Sequence, residues 1–507
     1  MKYYLYGASI QGIQKFIFET NKLKEIIGAS EIVERLSDKE FKKFLAEGNH
    51  ELPENNFIMG AAGNIRLVTE NRLTVEYIVK HWQKKVESMA PGITVSQAVV
   101  SFEDALSKNQ MDNLEQKLKV ARNKAIISSE LSPMAAIRSR RTGKPAVDWK
   151  DENNAPRDRA SKNKQNAGQI DAPHMLMEKS IKTPAKDEHN RYPFNISDIL
   201  ADGSETGWLA VIHADGNGLG KIIQGMSEKL QKQGGDIKKA YGLFSKAIDR
   251  STENAVKHAV ETIIIPEFKC GRNEKYPFRP VVIGGDDLTI IIRADLAFDF
   301  TVEFLKNFQN ETKSNLKEIV SEFKLKDFKN GLTACAGIAY MKASYPFHYT
   351  ANLAEELCGD AKKRSKELNI ATIPASIAFH KIQDSFVDSY ADIIERELTP
   401  SKNISFKYGP YFIDESHEPC VDMLRKSVQV ILEPEAPKSG IRKWLTCLHE
   451  DTSDAKMWMD RIIEICGDKY IKTLELEKEA EHMENNNLTQ TGLYDVLSLA
   501  AITDQEG

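Results

Sequence analysis

At 507 residues, with 28% charged and 41% hydrophobic residues, the chain has a globular composition and needs more than one core, because a single core seldom grows past about 250 residues. The same figures exclude a disordered chain, and no run approaches the roughly 18 apolar residues that a membrane-spanning helix takes. A net charge of -5 argues against nucleic-acid binding by the whole surface and confines any such contact to a local patch.

Met1-Lys2-Tyr3-Tyr4 runs directly into a strand pattern without a signal-peptide core, so a cytoplasmic location is expected. Residues 1–118 read as a strand over Tyr3–Ala8, a long helix over Gln11–Leu45, a strand pair over Phe57–Met59 and Asn64–Thr69, a helix over Thr74–Ser88 and a strand over Ile93–Phe102. β-rich runs alternate there with helical spacing such as Ile26, Ile32, Val33 and Leu36. That order is the βαββαβ of a ferredoxin-like palm.

Residues 119–205 hold no strong strand. Arg138, Arg140, Arg141, Lys144, Lys150, Arg157, Arg159, Lys162 and Lys164 crowd the polar stretch Arg138–Asn166 against four acids. The segment reads as a basic, α-helical linker or insertion that is partly mobile. Its charge suits either a solvated loop or a phosphate-contacting patch.

From Gly207 the order returns. A strand over Trp208–Ala214 precedes helical material over Leu219–Thr262, paired strands over Val281–Ile283 and Leu288–Ile292, a helix over Ala297–Val320, a strand over Leu332–Tyr340 and a helix over Ala351–Glu367. A degenerate internal repeat is the simplest account, with residues 206–370 as the second palm. Over 371–507 the apolar spacing is helical, as in Met423, Val428 and Ile431 or Met459, Ile462 and Ile463, which predicts an α-helical C-terminal domain. The expected fold class is therefore α+β, with two palms of the kind found in nucleotide cyclases and polymerases.

The chemistry concentrates in the second palm. Val281-Val282-Ile283-Gly284-Gly285-Asp286-Asp287-Leu288-Thr289-Ile290-Ile291-Ile292 is an apolar hairpin with two glycines and two acids at its tip. Gly284 and Gly285 allow the backbone angles of a tight turn and the close approach of a ligand. Adjacent carboxylates on such a hairpin are costly unless neutralised, and Mg²⁺ or Mn²⁺, which take hard oxygen ligands, suit the task. Taken alone, the tetrapeptide is equally an ordinary surface turn.

A second element changes that balance: Leu209-Ala210-Val211-Ile212-His213-Ala214-Asp215-Gly216-Asn217-Gly218-Leu219-Gly220-Lys221 is a strand ending in an acid, then a glycine-rich turn into a helix. Backbone N–H groups over Gly216, Asn217 and Gly218 are placed to receive phosphate. The first strand and the central hairpin of a βαββαβ sheet are neighbours, so Asp215 is expected beside Asp286 and Asp287. Three such carboxylates would hold two metal ions, which activate an attacking hydroxyl and stabilise a leaving pyrophosphate. His213, at the end of a buried strand, reads as a hydrogen-bonded core histidine rather than a base. Lys362, on the last palm helix, either neutralises a triphosphate or is simply solvated.

These residues resemble the large palm-containing subunit of type III CRISPR effector complexes, itself similar to diguanylate and adenylate cyclases. The resemblance runs through Asp215-Gly216-Asn217-Gly218-Leu219-Gly220, the Gly284–Asp287 tetrapeptide and Ala336-Gly337-Ile338-Ala339. In the first palm it takes in Gly7–Ile17, Gly28-Ala29-Ser30 and Gly60-Ala61-Ala62-Gly63-Asn64, which look like the family's acid-free palm. The resemblance implies that ATP is the substrate, that a 3′-hydroxyl attacks an α-phosphate, and that oligoadenylate messengers form when the complex senses foreign RNA. It implies Asp215, Asp286 and Asp287 as metal ligands, Ser30 and Asn64 as holders of the second nucleotide, and other effector subunits with guide and target RNA as partners.

Two departures are visible. The chain begins at the palm and has no His-Asp dipeptide, so a histidine-aspartate nuclease activity is not expected. Arg138–Ala146 stands where relatives carry a cysteine zinc ribbon, and the six cysteines form no CxxC pair, so no zinc is expected. Two other readings stay open: a non-catalytic scaffold of an RNA-guided complex, which three retained acids speak against, and a free-standing cyclase-like enzyme making dinucleotides.

Overall fold

The structure, a computed structural model, describes residues 2–504 apart from 62, 125–133, 150–154, 183–187, 201–206, 270–273, 326–327, 371, 385–388, 402, 451 and 485–488. Part of the stretch expected to be mobile therefore lies outside the described residues, as does Cys270. The strands are β1 (Tyr3–Gln11), β2 (Phe57–Ala61), β3 (Asn64–Thr69), β4 (Thr94–Phe102), β5 (Ala146–Asp148), β6 (Arg157–Asp158), β7 (Trp208–Gly216), β8 (Phe278–Gly284), β9 (Asp287–Arg293), β10 (Ala334–Lys342), β11 (Ser376–Lys381), β12 (Ile404–Ser405), β13 (Tyr411–Phe412) and β14 (Thr489–Gln490).

Two sheets carry the architecture. The first has the order β2-β3-β1-β4, the second β13-β11-β10-β7-β9-β8. In each, the fourth strand of a βαββαβ unit lies beside the first, then the third, then the second, which is the ferredoxin-like order. The first sheet is antiparallel throughout, with Leu5 opposite both Val68 and Val100. The second is extended by β11, which runs parallel to β10. The helical spacing expected past residue 371 does not hold there: Ser376–Lys381 is a buried strand, and a run that short carries too few residues to establish a period.

The chain forms two compact units. One comprises residues 1–203, 218–290 and 307–332; the other comprises 204–217, 291–306 and 333–507. In the first unit the helix expected over Gln11–Leu45 is broken into Ile13–Phe18, Leu23–Leu36 and Lys39–Glu47. The breaks let Phe41 and Phe44 reach the fully buried Trp82, with ring centroids 4.8 and 5.2 Å away. Helix Leu23–Leu36 meets Arg159–Ala167 so closely that a Cβ at Gly28 would lie 1.7 Å from the Lys164 carbonyl oxygen, which only glycine tolerates.

The basic stretch is largely paired within this unit. Arg141 forks onto the buried Glu25, Arg157 pairs with Asp148, and Lys164, 2% exposed, meets Glu19 and the Phe16 ring. Such buried pairs make Arg141, Arg157 and Lys164 packing residues rather than members of a free phosphate patch.

In the second unit β7 pairs with β10 along its whole length, from Trp208 opposite Lys342 to Gly216 opposite Ala334. Helix Phe347–Glu367 packs on β10 and β7. Beyond β11 come Val421–Ile431, Lys438–Glu450, Thr452–Ile465 and Leu493–Thr503, whose buried faces include Leu424, Trp444 and Leu497. Among the described residues no helix is long and apolar enough to cross a membrane.

Candidate active site

β7 is buried along most of its length, with Leu209, Ala210, Val211, Ile212 and Ala214 fully enclosed, so its sequence is a continuous apolar run. The run stops at Asp215, whose side chain is about a third exposed. Lys362, on helix Phe347–Glu367, donates from Nζ to Asp215 Oδ2 and, at 2.8 Å, to the Gly216 carbonyl oxygen. Asn217 is buried, and its Nδ2 donates to Thr333 Oγ1 at 3.0 Å while its backbone N–H donates to Thr333 O at 2.8 Å. Its amide thus braces the turn. Gly218 follows with φ 69° and opens helix Leu219–Gln233. Burial lowers the His213 pKa, opposed by Glu355 and Asp215.

The hairpin is built the same way. Ile283, Leu288, Ile290, Ile291 and Ile292 are fully buried, and the polar residues stand at the tip. Gly285 takes φ 58°, the left-handed value required at the first position of a two-residue II′ hairpin turn. Helix Ile237–Ala259 grips this turn. Asp249 Oδ1 accepts from the Gly285 N–H at 3.1 Å, and Thr252 Oγ1 donates to the Gly285 carbonyl at 2.5 Å.

One carboxylate oxygen from each of Asp215, Asp286 and Asp287 lies within 4.8 Å of the others, and all three residues are half-buried. Such crowding of like charges is unfavourable in a partly desolvated setting and calls for cations. The donor set is all oxygen and all anionic, which suits a hard divalent ion rather than a thiophilic one. The Lys362 ammonium already meets part of that need at Asp215.

Of the remaining candidates, Gly284 and Gly285 form the turn that carries the acids. Ser30 and Asn64 belong to the first palm, on helix Leu23–Leu36 and at the start of β3. Ser30 is 2% exposed, and its hydroxyl donates to Ile26 O of its own helix at 2.9 Å, which leaves its oxygen as an acceptor only. Asn64 opens β3 opposite Ser9 and Ala61; Ala62, in the same loop, lies outside the described residues. Sequence reasoning missed Asp249 and Thr252, whose spacing of three places them on one helix face. That spacing was the available signal, but it is shared by many solvated helices.

Residues 208–371 match the family described as Cas10/Cmr2, second palm domain. No curated protein matches the sequence. Among solved structures, the chain is similar to a Csm1–Csm4 cassette in complex with pppApApA, with a TM-score of 0.60 and 14% identity over 99% of this chain and 69% of that one. A cassette in complex with one ATP gives a TM-score of 0.56 at 13% identity over 99% and 69%. One with cA4 gives 0.53 at 13% over 99% and 70%. At such identities the likeness is one of fold.

Proposed function

We propose, from the match of residues 208–371 to the Cas10/Cmr2 second palm domain, that the chain is a large-subunit relative of that family and a divalent-metal-dependent nucleotidyltransferase that joins ATP into oligoadenylate messengers of the cyclic type. The observation that carries this reading is the convergence of Asp215, Asp286 and Asp287. In the proposed reaction a 3′-oxygen bonds to an α-phosphorus, the bond from that phosphorus to the β-phosphate bridging oxygen breaks, pyrophosphate leaves, and the hydroxyl proton passes to solvent. Held by these carboxylates, two ions of Mg²⁺ or Mn²⁺ would supply the charge that acidifies the hydroxyl and stabilises the leaving group.

The chain's own residues hold and orient. Asp215, Asp286 and Asp287 offer the oxygen ligands. Gly216 and Gly218 offer the phosphate its close approach at a helix start, whereas Asn217, expected to donate its N–H there, has that group held by Thr333 O and braces the turn instead. Lys362, which meets Asp215 and the Gly216 carbonyl oxygen, would neutralise a bound triphosphate, and Ser30 and Asn64 would contribute to the acceptor nucleotide. The similar solved structures pair Csm1 with Csm4 and hold ATP or oligoadenylates. By that likeness the chain acts as the large subunit of a type III effector, alongside other subunits, guide RNA and target RNA.

The test is incubation of the purified chain, alone and assembled with its complex and target RNA, with labelled ATP and GTP and with Mg²⁺ or Mn²⁺, followed by mass analysis. ATP-derived oligomers with 3′ linkages and released pyrophosphate are expected. Dinucleotides made equally well without the complex would favour a free-standing enzyme, and ATP binding without product a scaffold.

A further inference from the structure

We propose that Asp249 and Thr252 are positioning residues that hold the Gly285 turn, and with it Asp286, in the geometry of the metal site, and that Lys179 ties their helix to the first palm. The inference rests on the reading of Asp286 as a metal ligand. It starts from the peptide that Gly285 shares with Asp286. Because that unit is planar, fixing the Gly285 carbonyl also fixes the Asp286 N–H and the direction in which its Cα leaves. Thr252 takes hold of that carbonyl at 2.5 Å, and Asp249 holds the N–H on the other side of Gly285 at 3.1 Å. A two-residue turn gripped at both peptides has little freedom left.

The grip is built from a buried position. Thr252 is fully enclosed, and its hydroxyl also lies 3.2 Å from Ile248 O. A buried threonine on a helix ordinarily satisfies its hydroxyl on the preceding turn alone; here a shorter partner lies outside the helix, on the turn that carries the acids. One residue further, Glu253 pairs with Lys179 at 3.0 Å, and Lys179 pairs with Glu34 of helix Leu23–Leu36 at 2.8 Å. All three side chains are about four-fifths buried. Burial acts to lower the Lys179 pKa, but Glu34 and Asp249 outweigh it and the ammonium stays charged. Lys179 therefore ties the helix that carries Asp249 and Thr252 to helix Leu23–Leu36 of the first palm.

Such a device matters because a misplacement of about 1 Å in a reacting group costs on the order of a hundredfold in rate. The test uses the full chain with Mn²⁺ as the probe, followed by electron paramagnetic resonance titration, together with kcat and KM for ATP and the thermal midpoint. Thr252→Val, which keeps the shape and removes the donor, is expected to weaken Mn²⁺ binding about tenfold and to lower kcat about a hundredfold, with KM changed less than threefold. Thr252→Ser is expected to restore both to within about threefold. Asp249→Asn, which keeps an acceptor oxygen, should resemble the wild type, whereas Asp249→Ala should resemble Thr252→Val. Lys179→Met should weaken Mn²⁺ binding about threefold.

Wild-type Mn²⁺ affinity in Thr252→Val, or a serine variant no better than the valine one at equal thermal midpoint, overturns the proposal. Wild-type chain that binds Mn²⁺ but makes no product removes the enzymatic reading while the affinities still decide the clamp. Wild-type chain that binds no Mn²⁺ overturns both.

Discussion

The two palms share a strand order and differ in where they keep their acids. In the first, Glu25 and Glu31 sit inside helix Leu23–Leu36 at 1% and 0% exposure. Glu25 is met by Arg141, and Glu31 accepts from the Met175 and Leu176 N–H groups at 3.0 and 3.2 Å. In the second, Asp215, Asp286 and Asp287 stand half-buried at strand ends, close to one another. Acids enclosed against partners within the protein serve packing, and acids crowded together at strand ends are available to a cation. The comparison teaches that a shared sheet does not decide which palm can hold a cation; the residues at its strand ends do.

The sharpest way to break the comparison is to make the second palm like the first. Asp286→Asn with Asp287→Asn removes two charges at nearly constant volume, so product formation is expected to fall at least about a thousandfold while the thermal midpoint holds or rises as repulsion is relieved. Turnover assays and calorimetry on the same preparation check both halves. Lys362→Met comes next. Its loss should raise KM for ATP on the order of tenfold to a hundredfold, since a charge-assisted contact to a triphosphate is removed. Steady-state kinetics over an ATP range measures it, and an unchanged KM would leave Lys362 as a partner of Asp215 alone.

A smaller effect separates two first-palm residues. Asn64→Ala is expected to lower turnover about tenfold through the acceptor nucleotide, whereas Ser30→Ala should stay within about twofold, because that hydroxyl donates to Ile26 O and keeps only an acceptor to offer. Side-by-side initial rates decide it. Equal losses in both would give Ser30 as large a share in the nucleotide site as Asn64.

The acidic cluster of Asp215, Asp286 and Asp287 was legible for a simple physical reason. β7, β8 and β9 are buried on both faces, so they stand out as apolar runs, and an acid at the end of such a run is conspicuous. The βαββαβ order then predicts that the two runs are neighbours. What stayed hidden depends on partners remote in sequence. Nothing near Lys164 announces that it is enclosed against Glu19 and Phe16, and nothing near Thr252 points to a carbonyl 33 residues away. Composition reads Arg138–Asn166 as a charged loop, but Glu25, Glu19 and Asp148 lie opposite its cations. The breaks after Phe18 and Leu36 were missed because the helical apolar spacing continues across them; past the second break, Phe41 and Phe44 turn onto Trp82, a partner remote in sequence.

The smallest expected effect concerns stability, and it turns on Glu31. Burial raises its pKa from an ordinary 4.5 to about 7, and Arg279 and the two backbone N–H groups only partly oppose the rise. A carboxyl whose folded pKa lies above its unfolded one holds a proton in the native state that the unfolded chain has already released. Between about pH 4.5 and 7 the native state therefore binds more protons, and stability falls as pH rises through that window. Its contribution is fully present below the unfolded value and is lost above about pH 7. A shift of this size corresponds to at most about 3 kcal/mol across the window. Glu31→Gln keeps an acceptor for Met175 and Leu176 and cannot ionise, so its thermal midpoint should fall less than the wild type's between pH 5 and pH 7, by a few degrees at most for a chain of this size. Asp286→Asn with Asp287→Asn is the control from the other palm, since it leaves Glu31 and its backbone partners untouched. Denaturation curves at half-unit pH steps measure all three proteins. Parallel wild-type and Glu31→Gln slopes would mean that Arg279 keeps Glu31 ionised, and the first palm would then hold a buried charge pair rather than a buried acid.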